Sequence, residues 1–93
     1  MEVSLTLFGQ APWGFRCSGG IEHNQPLIVS RISPGTIACK AGVRVGDIIA
    51  SINGCFTKGF TSQQFEAATR EKNSLHLVIR ALGGFFLLKI FQI

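Results

Sequence analysis

The residues of this chain best suited to chemistry are Pro12-Trp13-Gly14-Phe15. A glycine between two large aromatic residues lets successive backbone N–H groups turn toward one point, making a small anion nest, while the rings wall an apolar pocket. A nest beside such a pocket suits a terminal carboxylate whose last side chain is apolar. Read alone, the same triplet is more often a bulge or tight turn, with Trp13 and Phe15 as core aromatics. The five Asp+Glu and two His stand in unrelated local settings. No Gly-x-Ser-x-Gly, phosphate-binding loop, His-Glu-x-x-His or dinucleotide fingerprint occurs, so no enzyme is expected. Asp47 reads as a strand-start residue bonded to local amides, and His23 and His76 as surface histidines. Cys17, Cys39 and Cys55 match neither a disulfide framework nor a metal spacing and read as reduced thiols, Cys17 serving as a small apolar group. No metal or cofactor is expected.

Composition narrows the classes further. The chain has 93 residues, one domain's worth, of which 46% are hydrophobic and only 15% charged, against roughly 25% charged in an average soluble domain. Its net charge of +4 permits a membrane-surface module, but the basic residues are spread singly, without the stripe a nucleic-acid binder presents. No apolar run approaches the ~20 residues needed to span a bilayer, and Met1-Glu2-Val3-Ser4 lacks the basic start of a secretory signal. Neither nucleic acid nor membrane is an expected partner, and a cytoplasmic location is expected.

The elements that must position the nest can be read from periodicity. Val3, Leu5 and Leu7 alternate with polar residues and share one face of a first strand. Phe15-Arg16-Cys17-Ser18 is a second strand ended by Gly19-Gly20, with Phe15 and Cys17 on one face and Arg16 and Ser18 on the other. Ile21 to Pro26 has a loop composition, and Leu27 to Ile32 is a third strand closing on Ser33-Pro34-Gly35. Thr36 to Ala41 forms a short helix, capped by Thr36 and stopped by Gly42. Gly46 to Ile52 is a fourth strand, turned by Asn53-Gly54 into a brief fifth at Cys55-Phe56. Phe65, Ala68 and Thr69 recur at helical spacing within Thr61 to Lys72, capped by Thr61 or Ser62, and Leu75 to Ala81 is a closing strand. Five or six short strands with two helices and no βαβ rhythm make a small, mostly-β α+β fold with antiparallel pairing.

Taken in order, Pro-Trp-Gly-Phe-Arg, Gly19-Gly20, Pro26 to Gly35, Ala41 to Ile49 and Ile52-Asn53-Gly54 resemble a PDZ domain over about residues 3–81. The first and third of these stretches resemble the PDZ domains of PDZ–LIM (Enigma/ALP-type) proteins of the actin cytoskeleton. The resemblance implies a partly open antiparallel barrel or sandwich that takes a partner's C-terminus as an added strand between the second strand and the second helix. It implies that the amides of Trp13, Gly14 and Phe15 hold the carboxylate, and that Trp13, Phe15 and Cys17, closed by Thr69, line the last-residue pocket. Arg16 and Ser18 complete the strand; Ser62 meets the third-from-last ligand residue, with Glu66 one turn on. Partners implied are C-terminal peptides of other proteins, α-actinin among them, in a cytoskeletal scaffold. PDZ domains that prefer Ser or Thr at the third-from-last position usually carry His where this chain has Ser62, so an apolar–any–apolar ligand class suits it better.

The PDZ domain is expected to occupy residues 1–82. Residues 83–93, a Gly-Gly hinge and an apolar tail, depart from that pattern. The tail reads as an extra strand, a flap or an arbitrary end, or alternatively as a self-ligand, with Phe91-Gln92-Ile93 entering the groove of its own or a neighbouring chain and driving self-association.

Overall fold

The computed structural model describes residues 2–81. Period-two alternation sets β1 (Glu2–Phe8): Val3, Leu5 and Leu7 turn toward the core while Ser4 and Thr6 face out. β1 pairs antiparallel with the last strand, β6 (Ser74–Arg80), whose Leu75, Leu77 and Ile79 are fully buried. β6 pairs in turn with β4 (Ile48–Ile52), β4 with β3 (Gln25–Ile32) and β3 with β2 (Phe15–Gly20). One antiparallel sheet in the order β1-β6-β4-β3-β2 results, with the two-residue β5 (Cys55–Phe56) added on β4. The sheet stays open, with β1 and β2 at its edges. Six strands and two helices, α1 (Ile37–Ala41) and α2 (Ser62–Thr69), give the expected mostly-β architecture.

Local chemistry fixes most boundaries. Thr36 caps α1 by accepting from the Cys39 N–H at 3.4 Å, and Gly42, at φ +98°, closes its end. Asn53 and Gly54 both take positive φ, as the tight β4–β5 hairpin requires.

Three boundaries differ from the periodicity. β2 does not stop before Gly19-Gly20 but runs through them, with Gly20 paired to Gln25; both take positive φ, and a side chain at Gly19 would strike the Pro26 carbonyl. The Ile21 to Pro26 connection is correspondingly tight, a single 3-10 turn (Ile21–His23) followed by Asn24 in the left-handed region, with β3 already under way at Gln25. β4 begins at Ile48 and not Gly46: the Asp47 carboxylate accepts from the Arg44 N–H at 2.8 Å, holding residues 44–47 in a turn. Asp47 is thus a buried residue bonded to a local amide, as its sequence setting suggested. Among the described residues no helix is long and apolar enough to cross a membrane.

β6 lies between β1 and β4, so its inward side chains touch both halves of the sheet. Leu77→Ala should lower the unfolding free energy by about 2–5 kcal/mol in urea titrations, from lost transfer energy plus a cavity. A loss under about 1 kcal/mol would show that the core closes around the gap instead.

Candidate functional site

Between the open edge at β2 and the flank of α2 runs a groove of about 800 Å³. Phe15, Arg16 and Cys17 of β2 line one side, and Ser62, Phe65, Glu66 and Thr69 of α2 the other. β2 alternates as expected, with Phe15 and Cys17 half-buried and Arg16 and Ser18 exposed. Ser18 is not among the lining residues. The Phe15 and Phe65 rings meet edge to face, centroids 6.1 Å apart and planes at 61°, giving the groove an apolar floor. Phe65 had been legible only as a helix-face residue; its role in the floor follows from its meeting Phe15.

At one end stands the nest loop. The Trp13 carbonyl accepts from the Ala38 N–H of α1 at 2.9 Å, and the Gly14 carbonyl accepts from Ser33 N–H, beyond β3, at 2.8 Å. In a trans peptide the next N–H points opposite to the carbonyl. With both carbonyls drawn into the body of the domain, the Gly14 and Phe15 N–H groups turn outward, toward the groove. Gly14 has φ +98°, and a Cβ there would fall onto the Thr36 side chain, so this path admits only glycine.

Trp13 is at once a core residue and a wall of the groove. Its ring is buried to 3% exposure, packed in the core, yet it also lines the groove. Its Nε1–H donates to the Thr69 carbonyl at 2.9 Å. The helix α2 ends at Thr69 and not at Lys72, and the bond falls on the carbonyl of that last helical residue. Thr69 Oγ1 donates back to the Glu66 carbonyl at 2.7 Å, and Arg70 leaves in an extended conformation. Thr69 thereby sits at the pocket end of the groove.

At the other end, Thr61 and Gln64 form a capping box on α2, through a Gln64 N–H to Thr61 Oγ1 bond of 3.0 Å and a Thr61 N–H to Gln64 Oε1 bond of 2.8 Å. Ser62 is the first helical residue, and its hydroxyl donates to Glu22 Oε2 at 2.7 Å. The Ser62 N–H reaches the same carboxylate at 3.1 Å. Ser62 therefore presents its oxygen lone pairs, not its proton, to whatever lies beside it. Gly20 makes room for this latch, since a Cβ there would crowd both the Glu22 carboxylate and the Ser62 nitrogen. The Ser62 hydroxyl, followed by backbone hydrogen bonds, holds the Glu22 carboxyl below the usual glutamate range. Forty residues separate the pair, so no local pattern could have announced it.

The remaining expected residues fall as follows. Burial pushes the Cys17 thiol up to about 12, so it is a protonated, weakly polar wall. Glu66 forms an exposed ion pair with Arg70 at 3.5 Å, one helical turn on. Arg70 also lines the groove, as do Ser30, Arg31 and Ser33 from β3 and its turn. Helical spacing from Glu66 could have identified Arg70; Arg31 depends on the β2–β3 register, which shifts twice and was not readable. Phe91, Gln92 and Ile93 lie outside the described residues.

Trp13→Phe removes the donor to Thr69 together with part of the buried ring, and should cost at least about 1–3 kcal/mol of stability by circular dichroism in urea. An unchanged unfolding curve would show that the bond is dispensable. The Glu22 carboxyl is depressed in the folded state, so its contribution is complete above the unfolded glutamate value and is lost as pH falls through the folded one. Wild type and Glu22→Gln should differ in stability at neutral pH and converge in acid; parallel pH curves would refute an ionic latch.

The chain is 46% identical to PDZ and LIM domain protein 3 of Sus scrofa over 76 residues, covering 82% of this chain and 20% of that protein. It is 43% identical to PDZ and LIM domain protein 7 of Xenopus laevis over 79 residues, covering 84% of this chain and 19% of the relative. With PDZ and LIM domain protein 5 of Homo sapiens it shares 47% identity over 60 residues, 64% of this chain and 10% of the relative. The chain thus spans a fifth or less of the length of these relatives. The family model described as PDZ domain matches residues 2–80, which hold the whole groove, and the chain belongs to the PDZ domain family of protein-interaction modules.

Proposed function

We propose that the groove captures the free C-terminus of a partner protein, which adds to the edge of β2 as an antiparallel strand facing α2. The observation that carries this reading is the pair of anchored carbonyls at Trp13 and Gly14, which turn the following amides toward an apolar groove at an unpaired sheet edge. The Gly14 and Phe15 N–H groups, joined by that of Trp13, bind the terminal carboxylate. The last side chain enters the space bounded by Trp13, Phe15, Cys17 and Thr69. Arg16 and Ser18 flank the added strand on its other face, and Ser62 and Glu66 face the residues further up the peptide.

No step of this reading breaks or makes a covalent bond, so the domain acts as an adaptor. From the PDZ–LIM likeness, the adaptor serves a cytoskeletal scaffold with α-actinin as a partner to be tested. The competing occupant is the chain's own Phe91-Gln92-Ile93.

A fluorescence-polarisation screen of peptides with free and amidated C-termini, against the full chain and a chain lacking residues 85–93, tests the proposal. Free-carboxylate peptides should bind, amidation should weaken them by about tenfold or more as charge-assisted hydrogen bonds are lost, and Gly14→Ala should have a similar effect. Binding indifferent to amidation overturns the reading. Tighter binding and less self-association on truncation would assign the tail as competitor; unchanged values would exclude it.

A further inference from the structure

The outer face of the sheet, on the side away from the core, carries an apolar patch that the groove does not use. Alternation sends Leu77 and Ile79 of β6 and Ile49 of β4 into the core, so Val78 and Ile48 turn outward. Ile49 and Ser51 are separated by Ala50 on β4, but their partners Ile79 and Val78 are consecutive on β6. This bulge sets both Ala50 and Ser51 against Val78 on the outer face. Phe56 of β5 pairs with Ser51 and extends the same row by one strand, 82% exposed. An isolated exposed phenylalanine is ordinary, but one that continues a row of half-buried aliphatic side chains is a docking surface.

The chain itself supplies an occupant. β6 ends at Arg80, directly opposite Ile48 of the patch, and residues 82–93 follow outside the described residues. From 85 to 93 only Lys89 and Gln92 are polar. Neighbouring strands lie about 4.8 Å apart, so Phe56 stands about 10 Å from β6, while residues 81–84 extend to about 13 Å. Gly83-Gly84 has no side chain to oppose a reversal of the chain. A linker this short holds the apolar segment beside the patch at about millimolar effective concentration, well above that of a second copy in dilute solution. The groove is further away: β4 and β3 lie between β6 and β2, and the row through Arg80, Ile48 and Ile28 meets β2 at Ser18, short of the nest.

We propose that the apolar segment beginning at Phe85 folds back over the outer face of its own molecule and seats on Ile48, Ala50, Val78 and Phe56. The tail is then a cover for the sheet, and the groove on the other side of β2 stays open. This holds whatever the groove binds.

The test is made in the full chain. Phe56 is exposed and the tail lies beyond residues 2–80 of the family match, so neither set of changes removes a core side chain. Phe56→Ser and a tail carrying Phe85→Ser, Phe86→Ser, Leu87→Ser and Leu88→Ser are made separately and together, and urea unfolding is compared. Phe56→Ser should lower the folding equilibrium constant about tenfold with the native tail and less than about twofold with the serine tail. Amide NMR shifts that differ between the native and serine tails should cluster on β4, β5 and β6 and persist on dilution. Equal effects of Phe56→Ser in both backgrounds overturn the proposal. Shifts clustered at Gly14 to Cys17 and along α2 put the tail in the groove and overturn it as well. Shifts that fade on dilution assign the patch to a second copy and overturn the intramolecular contact.

Discussion

The groove depends first on the hydrogen bond from Trp13 Nε1 to the Thr69 carbonyl. It joins the loop that carries the outward-facing amides to the last residue of the opposing helix, across 56 positions of sequence. The bond falls on the last residue of α2, and the indole that makes it is packed in the core, so it ties the loop to the helix end. The distance between the nest and the helix end is thereby set by a buried, neutral bond, of the kind that responds little to salt or to pH near neutrality. Ala38 and Ser33 then hold the carbonyls of Trp13 and Gly14 from behind. Removing the indole donor would leave those two bonds in place but free the helix end, so loop orientation and groove width are set by separate interactions.

The opposite end is held by different physics. Glu22 receives both the hydroxyl and the amide of Ser62 at the start of α2, where a carboxylate is also favoured by the orientation of the helix peptide groups. This latch is charged and exposed, so solvent and salt screen it. The groove is therefore stiff where a chain terminus would be anchored and adjustable where the upstream residues would pass. That asymmetry suits a module that must fix one end of its ligand and tolerate variation in the rest. The two glycines that permit these ends, Gly14 and Gly20, are both positions where a side chain would collide with neighbouring groups, Thr36 at the first and Glu22 and Ser62 at the second.

Most of the frame was legible in the sequence, because it rests on local signals. Alternation at Val3, Leu5 and Leu7, the Thr36 cap, the Gly42 stop and the Asn53-Gly54 turn each appear in the structure as their local chemistry requires. The signals failed where a distant group intervened. Gly19-Gly20 read as a strand end because two glycines lower strand propensity, but their missing side chains are what let Pro26 and Ser62 approach. The helical pattern through Lys72 overran the helix, which ends at Thr69 with Arg70 already extended. The groove lining was half legible for the same reason. The β2 side could be read by parity, while Glu22 and Arg31 entered only through contacts and a bulged register that no window of sequence contains.

These constraints also account for the low charge of the chain, 15% by residue. The groove is walled by Phe15, Phe65, Cys17 and Trp13, and burial pushes the Cys17 thiol further from ionising. Charge is admitted at the rim, on Arg16, Arg31, Glu66 and Arg70, where side chains reach water and can still meet a bound strand. An apolar floor supplies attraction that does not discriminate among hydrophobic last residues of similar size. Discrimination must then come from the rim and from the two ends. Among the described residues that line the groove, its charged side chains are Arg16, Arg31, Glu66 and Arg70.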